Sequence, residues 1–281
     1  MYENLSLYPK SVAERNLSAL KKEFLRYDRL IIAFSGGLDS ALLLAVASDV
    51  LGRNVLAVIS DSPSVPRSEI NSAIDFAKKT GARLKVVNTR ETENEDYILN
   101  PVNRCYFCKT ELYDHIEEVA SEEGIRFIAN GTNMDDLGDH RPGLVAADEH
   151  QVVSPLRDAG LKKDDIRVIA KMLGLEVWDK PPSPCLASRI PYGRKVTPEK
   201  LSQVEEAEEF VKGLGVKELR VRHFDDKAVL EVNPLFLQLV KDHYEVIVTK
   251  FNSIGFQDIE IKKFKSGSLN KLANIDAKRE A

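Results

Sequence analysis

The segment that most constrains the fold of this 281-residue chain is a short apolar run followed at once by a glycine turn and a helix. Residues 30–34 read Leu-Ile-Ile-Ala-Phe, residues 35–40 read Ser-Gly-Gly-Leu-Asp-Ser, and a helical pattern continues to about Val50. An uninterrupted apolar run of this length is typical of a strand buried on both faces of a parallel sheet. The segment therefore predicts a β-strand, a tight loop and a helix in succession.

Three more apolar runs are predicted to form strands beside the first. They lie at residues 55–59, 84–87 and 127–129, and helical patterns at 68–79 and 106–122 separate them. Strands that alternate with helices are typical of a parallel sheet covered by helices on both faces. The predicted fold class of this part is therefore α/β.

The pattern changes after residue 129, and a smaller second unit is predicted near the C-terminus. Residues 130–158 are polar and contain several Gly and Pro, which predicts mostly loop. Residues 180–185 read Lys-Pro-Pro-Ser-Pro-Cys, and three prolines exclude regular structure there. We predict an α/β domain over residues 1–195 and an α+β domain over 196–281. The later elements are predicted as helices at 162–173, 199–214 and 234–253 and as strands at 218–222, 228–232 and 259–263.

Composition excludes some classes of function. The net charge is −4, from 40 Lys and Arg against 44 Asp and Glu, which argues against a dedicated nucleic-acid-binding protein. No apolar run approaches the ~20 residues that span a bilayer. The N-terminus lacks the basic and then apolar layout of a secretory signal. We therefore expect a cytoplasmic protein without a membrane partner.

The loop at residues 35–40 has the composition of an anion-binding site. Its glycines let the backbone approach a ligand, the N–H groups at the helix start favour phosphate, and Ser35 and Ser40 add hydroxyl groups. The Gly-Lys-Ser/Thr ending of a Walker loop is absent. Asp39 instead offers a carboxylate for Mg²⁺. Such a site suits the binding of pyrophosphate as a unit, although an ordinary glycine turn is the simpler alternative.

A second polar segment follows the predicted strand at 127–129. Residues 130–136 read Asn-Gly-Thr-Asn-Met-Asp-Asp, and their carboxylates could hold a second Mg²⁺ or orient a substrate. The alternative is a solvated turn of the kind that Asn and Asp favour. The residues expected to bind a nucleotide and its metal ion are Ser35, Gly36, Gly37, Leu38, Asp39, Ser40, Gly131, Thr132 and Asp135.

Three cysteines, an odd number, cannot all pair with one another. Cys105 and Cys108 form a C-x-x-C at the start of a predicted helix, and Cys185 lies in the proline-containing segment. Four interpretations remain open: half of a zinc site, a thioredoxin-type redox pair, cysteines of the core, and a [4Fe–4S] cluster held by three thiolates. A zinc site would need a fourth ligand, and a thioredoxin-type pair would follow the first strand.

Several separate motifs resemble known proteins. The hexamer at 35–40 is similar to the PP-loop of the ATP-pyrophosphatase superfamily. The chain further resembles the LarE family of ATP-dependent sulfur transferases, which build the nickel-pincer cofactor of lactate racemase. This second resemblance runs from about Leu30 to Asn270. It depends on Pro-Cys-Leu-Ala-Ser-Arg-Ile-Pro-Tyr-Gly at 184–193 with Thr197, on Leu-Arg-Val-Arg-His at 219–223, and on Lys-Ser-Gly at 265–267.

The resemblance to the LarE family implies roles for individual residues. Cys185 matches the family's sulfur-donating cysteine, and Lys109 matches a lysine near the substrate carboxylate. Single-cysteine members lack the other two thiols, so the chain resembles a three-cysteine subgroup in which Cys105, Cys108 and Cys185 hold a [4Fe–4S] cluster. The polar residues that match the family's active-site region are Glu208, Arg220, Arg222 and Glu231. A solvated strand edge is the alternative for the two arginines, and a helix-surface charge is the alternative for Lys109.

The same resemblance implies a reaction. A carboxylate of pyridinium-3,5-dicarboxylate mononucleotide attacks the α-phosphate of ATP, pyrophosphate leaves, and sulfur then displaces AMP to give a thiocarboxylate. The implied partners are this small nucleotide and a sulfide or other sulfur donor, and the implied assembly is a homo-oligomer, a trimer or a hexamer. The alternatives are a tRNA thiolase, which the acidic balance disfavours, an ammonia-using amidotransferase or synthetase, and a nucleotide-sensing or cluster-carrying module without turnover.

Overall fold

The computed structural model describes residues 8–138, 142–265 and 269. The chain divides into two compact units, each built from two stretches of sequence. Unit 1 comprises Met1–Arg90 and Cys105–Ser183, and unit 2 comprises Glu91–Arg104 and Pro184–Ala281. Among the described helices, none has both the length and the apolar character that a bilayer crossing requires.

Strands and helices alternate along most of the described chain, and their bounds are as follows. The strands are β1 Leu30–Ala33, β2 Val55–Asp61, β3 Arg83–Asn88, β4 Phe127–Ala129, β5 Leu219–Phe224, β6 Lys227–Val232 and β7 Asp258–Lys263. The α-helices are α1 Lys10–Phe24, α2 Leu38–Leu51, α3 Arg67–Thr80, α4 Glu95–Ile98, α5 Arg104–Glu123, α6 Pro142–Glu149, α7 Pro155–Asp158, α8 Lys163–Met172, α9 Pro198–Gly213, α10 Leu237–Asp242 and α11 Tyr244–Ile254.

Unit 1 contains a four-stranded parallel sheet in the order β3-β2-β1-β4. Strand β1 is central, and Leu30 pairs with Val55 on one side and with Phe127 on the other. Its side chains alternate between two cores: Leu30 and Ile32 pack in one cluster, and Ile31 packs in the other. The α/β fold with a parallel sheet that the sequence predicts is therefore confirmed.

Burial of β1 and α2 explains why their sequences are apolar throughout. Helix α2 buries residues on nearly every side, from Leu38 to Ala47, because it packs between the sheet and helices α1 and α8. A helix that is apolar all round is stable only when it is enclosed in this way. The enclosure fixes the start of α2, and therefore the loop before it, relative to the sheet.

Helix α6 corrects the prediction that residues 130–158 are mostly loop. It runs over Pro142–Glu149 and buries Ala146 and Ala147. Its length is eight residues, which is too short for a clear helical period, and its proline stands at the first position, where the missing N–H does no harm.

Unit 2 contains a three-stranded mixed sheet in the order β5-β6-β7. Strands β5 and β6 are antiparallel, and β7 runs parallel to β6. Helices α9 and α11 pack together, and their side chains share the core with one face of the sheet through residues such as Val221 and Leu230. The smaller α+β unit is confirmed. The helix predicted over 234–253 is interrupted: its first residues, Pro234–Phe236, form a 3-10 turn, and a break at His243 separates α10 from α11.

Residues 91–104 join unit 2 although they precede most of it in the sequence. Asn100 is fully buried, and its side-chain amide donates hydrogen bonds to the carbonyls of Pro191 at 2.8 Å and Arg194 at 3.0 Å. Val196 N–H donates to the carbonyl of Ile98 at 2.9 Å. The boundary between the two units in this part of the chain lies between Ser183 and Pro184. The domain boundary expected from the sequence lies between residues 195 and 196.

Candidate active site

The loop between β1 and α2 adopts a conformation that only glycine accommodates. Gly36 has φ of +69°, and a Cβ placed on it would lie 2.7 Å from the Cβ of Ala73. Ser40 Oγ donates to the carbonyl of Gly37 at 3.1 Å and accepts from the N–H of Ser35 at 3.2 Å. These contacts close the loop over the start of α2, where the first N–H groups of a helix have no partner within the helix and can bind an anion.

The segment after β4 packs directly against this loop. Strands β1 and β4 are parallel neighbours, so their carboxyl ends meet at one edge of the sheet. A Cβ on Gly131 would lie 3.0 Å from the nitrogen of Ser40 and 3.1 Å from the Cβ of Asp39. Gly131 is therefore a point of close backbone approach. Next to it, Thr132 N–H donates to Asn130 Oδ1 at 3.0 Å.

A cavity of about 410 Å³ lies where these two segments meet. Its size falls in the range of small-ligand sites, and it lies outside the carboxyl ends of parallel strands, where α/β proteins bind ligands. Helix α5 supplies another part of its wall. The polar or small residues in the wall include Ser35, Gly37, Asp39, Ser40, Cys105, Lys109, Gly131, Thr132 and Asp136.

Most residues expected to bind nucleotide lie at this cavity, but two contribute in other ways. The Leu38 side chain is buried in the core, so Leu38 can offer only its backbone to a ligand. Asp135 is not in the cavity wall; its Oδ2 accepts a hydrogen bond from Lys163 N–H at 2.8 Å. Its neighbour Asp136 lies in the wall instead.

The carboxylate of Asp39 is the most unusual group of the cavity. Its Oδ1 is buried and has no hydrogen-bond partner among the described residues, whereas Oδ2 accepts from Lys163 Nζ at 2.5 Å. Burial raises the pKa of Asp39, and the positive charge of Lys163 opposes that rise. A buried carboxylate oxygen without a donor fits an oxygen-seeking cation such as Mg²⁺.

Lys163, the partner of Asp39, could not be identified from the sequence. It begins helix α8, and 124 positions separate it from Asp39, so no local pattern connects the two residues.

All three cysteines are thiols. Cys105 and Cys108 lie near the start of α5, and Cys105 is exposed and lines the cavity together with Lys109. Cys185 belongs to unit 2, where it immediately precedes a 3-10 turn at Leu186–Arg189. The prediction that residues 180–185 lack regular structure is confirmed.

In unit 2, a buried ion pair fastens the segment that carries Cys185. Arg189 donates from Nη1 to the carbonyls of Pro184 at 2.5 Å and Cys185 at 3.1 Å. Its Nε and Nη2 donate to the two carboxylate oxygens of Glu208 at 2.8 and 2.9 Å. Glu208 also accepts from the N–H of Val221. Arg189 and Glu208 are both almost completely buried, so the position expected to be catalytic, Glu208, supports the cysteine segment from the core.

Of the two arginines of β5, Arg222 is buried and Arg220 is half-buried. Arg222 pairs with Glu231 at 2.9 Å, donates to the carbonyl of Ser188 at 3.0 Å, and is 8% exposed. Burial, reinforced by the positive charge of Arg189, lowers the pKa of Arg220 to about 10. A solvated strand edge is therefore the wrong description of these residues.

Comparison with known proteins gives one family model and several full-length relatives. A family model for NAD synthase matches residues 17–96. An uncharacterized protein of Synechocystis is 40% identical over 92% of this chain and 98% of its own length. A pyridinium-3,5-bisthiocarboxylic acid mononucleotide synthase of Lactiplantibacillus plantarum is 33% identical over 86% of this chain and 89% of its own. An uncharacterized protein of Methanocaldococcus jannaschii is 32% identical over 85% and 90%.

Substitution of Gly131 tests the close contact between the two loops. Gly131→Ala should displace Ser40 and Asp39 and weaken ATP binding at least about tenfold, with about 1–3 kcal/mol lost from the free energy of unfolding. Gly213→Ala is the matched control, since a Cβ at Gly213, the last residue of α9, would have no atom within 4 Å. Calorimetric titration with ATP and thermal unfolding measure the two effects. Unchanged ATP affinity in Gly131→Ala would contradict the described contact.

Substitution of Arg189 tests the buried ion pair. Arg189→Ala leaves the Glu208 carboxylate buried without its partner and should lower the free energy of unfolding by about 3–5 kcal/mol. Lys212→Ala removes the exposed Lys212–Glu209 pair of α9 and should cost at most about 1 kcal/mol. Urea unfolding followed by circular dichroism compares them. Equal losses in the two variants would show that Arg189 and Glu208 do not form the pair described.

Proposed function

This chain belongs to the LarE family of ATP-dependent sulfur transferases, and from this membership we propose how its residues carry out the reaction. The enzyme uses ATP to adenylate a carboxylate of pyridinium-3,5-dicarboxylate mononucleotide and then converts that carboxylate to a thiocarboxylate, a step in nickel-pincer cofactor biosynthesis. The observation that carries the adenylation step is the Asp39 carboxylate in the cavity wall, with one oxygen lacking a partner beside an anion-binding loop.

In the first step, the substrate carboxylate oxygen forms a bond to the α-phosphorus of ATP, and the bond from that phosphorus to the bridging oxygen of the β-phosphate breaks. The N–H groups from Gly36 to Ser40 lie at or just before the start of α2, and there they stabilise the negative charge of the departing pyrophosphate by donating hydrogen bonds to it. Mg²⁺ held by Asp39 would supply further positive charge at this point. The product of this step is an acyl-adenylate, whose AMP group then serves as the leaving group of the second step.

In the second step, sulfur attacks the activated carbonyl carbon, a carbon–sulfur bond forms, and AMP departs. We assign the positioning of the substrate's anionic groups to Lys109 in the cavity wall and to Arg220 and Arg222, with Glu231 holding Arg222 in place. Guanidinium groups suit this role because they bind carboxylate and phosphate with two parallel hydrogen bonds. Unit 2, which carries both arginines, would thus be the substrate-binding unit.

We propose that Cys105, Cys108 and Cys185 together hold a [4Fe–4S] cluster. Thiolates are the usual ligands of such clusters, and a cluster held by only three of them would keep one iron open to exogenous sulfide. The exposure of Cys105 at the cavity supports this assignment, since sulfur must come within ~3–3.5 Å of the carbonyl carbon. The competing source of sulfur is the Cys185 side chain itself, which would make each protein molecule act once.

We infer that a sulfide or a similar small sulfur donor reloads the enzyme, that it works in the cytoplasm, where thiols stay reduced, and that it forms a trimer or a hexamer. A tRNA thiolase is the second candidate, because it would use the same adenylation.

The exchange of radioactive pyrophosphate into ATP tests the adenylation step. Exchange should rise when the dicarboxylated pyridine nucleotide is added and should not rise with tRNA. Asp39→Asn should abolish it while the fold stays intact, because the neutral amide is a poor Mg²⁺ ligand. Asp49→Asn, in the exposed last turn of the same helix, is the matched control and should exchange normally. Full exchange with an unchanged Mg²⁺ dependence in Asp39→Asn would refute the role of this residue.

Single cysteine variants distinguish the two sources of sulfur. If the cluster is correct, Cys105→Ala, Cys108→Ala and Cys185→Ala should each lose iron, acid-labile sulfide and sulfur transfer after anaerobic purification, and each should keep pyrophosphate exchange. Thr110→Ala, farther along α5, should keep all of these properties. Loss of sulfur transfer in Cys185→Ala alone would mean that Cys185 donates its own sulfur.

A further inference from the structure

Lys180 contacts the anion-binding loop through a charge that the proposed chemistry does not use. Its Nζ donates to the carbonyl oxygen of Gly36 at 3.1 Å and to Oε2 of Glu69 at 2.6 Å. The side chains of Lys180 and Glu69 are each only 20% exposed. Removing an ammonium and a carboxylate from water costs free energy, so a partly buried pair of this kind suggests a specific role for Lys180.

The carbonyl that Lys180 holds belongs to the peptide bond between Gly36 and Gly37. A trans peptide is planar, so its C=O and its N–H point in opposite directions. Whatever fixes the oxygen of Gly36 therefore also fixes the direction of the N–H of Gly37. This N–H makes a long, 3.4 Å hydrogen bond to Ser35 Oγ, and both Ser35 and Gly37 line the cavity. With the peptide reversed, a carbonyl oxygen instead of an N–H would be presented to the phosphate groups.

This peptide needs an external restraint because its residues are glycines. Glycine adopts positive and negative φ almost equally well, and Gly36 has φ of +69°. Helix α3 braces the peptide at two points: Ala73 packs against Gly36, and Glu69 in the first helical turn holds the Lys180 ammonium. Arg167 steadies the backbone of the same region by donating to the carbonyl of Trp178 at 2.7 Å and that of Lys180 at 3.4 Å.

We propose that Lys180 is a positioning residue for adenylation, which keeps the Gly36–Gly37 peptide oriented with its N–H toward the departing pyrophosphate, and that Glu69 holds Lys180 in place. The inference rests on the proposed ATP-dependent function. It assigns Lys180 no direct contact with substrate. Its effect should appear in pyrophosphate binding and in kcat, whereas the binding of AMP should be unaffected.

Lys180→Met removes the ammonium and keeps the length of the side chain. We expect kcat for pyrophosphate release to fall roughly 10- to 100-fold. Removal of one hydrogen-bond donor to a developing anion typically lowers kcat by about 100- to 1000-fold, and the indirect effect of Lys180 should be smaller. The inhibition constant for pyrophosphate should rise by a similar factor, while that for AMP should change less than about threefold. Lys180→Arg, which can still donate to both acceptors, should recover most of the kcat.

Lys79→Met is the matched control. Lys79 forms an ion pair of similar length, 2.7 Å, with Glu176, but both side chains are more than half exposed. Its loss should leave kcat and both inhibition constants unchanged. If Lys180→Met does not fold, Glu69→Gln takes its place, and we expect about a threefold to tenfold weaker inhibition by pyrophosphate from it.

Two results would overturn the inference: normal pyrophosphate inhibition in a folded Lys180→Met or Glu69→Gln protein, or equal weakening of pyrophosphate and AMP. Failure of the proposed function would look different, because the wild-type protein itself would then show no pyrophosphate exchange with the pyridine nucleotide.

Discussion

The partly buried carboxylate of Asp39 is the group on which the rest of the first unit depends. A charged oxygen removed from water is unfavourable unless something compensates it, and Lys163 compensates only one of the two oxygens. A fold selected for stability alone would place an apolar residue here. The arrangement is understandable if a cation completes the site during the reaction, because the protein then keeps an open ligand position at the start of α2.

Small residues make that arrangement possible. Gly36 lies against Ala73, and Gly131 lies against Ser40 and Asp39, so that the loop packs closely against α3 on one side and against the segment after β4 on the other. The N–H groups of the loop can therefore surround an anion at short range. Because glycine has no Cβ, it lacks the usual steric limits on backbone conformation, and contacts from Lys180 and Ser40 restrain the loop instead.

Local sequence was sufficient to predict the sheet and its loop, because a buried parallel strand, a glycine turn and an enclosed helix each leave a pattern within a few residues. The irregular segment at 180–185 was equally predictable from its prolines. Helix α6 was not, since eight residues carry little periodicity. Lys163 and Lys180 could not be found either, because they contact residues 124 and 144 positions away. The grouping of the three cysteines around a cluster stays a prediction.

The ion pairs of the second unit follow from the prolines near Cys185. Prolines have no N–H, so a segment rich in them cannot fasten its own carbonyls through regular backbone pairing. Arg189 supplies the missing donors to Pro184 and Cys185, and Glu208 balances its charge inside the core. Apolar residues in place of this pair could be equally stable or more so, but they could not donate to a carbonyl. The buried charge is therefore best explained by the need to hold the sulfur-bearing segment in one conformation without a helix or a strand.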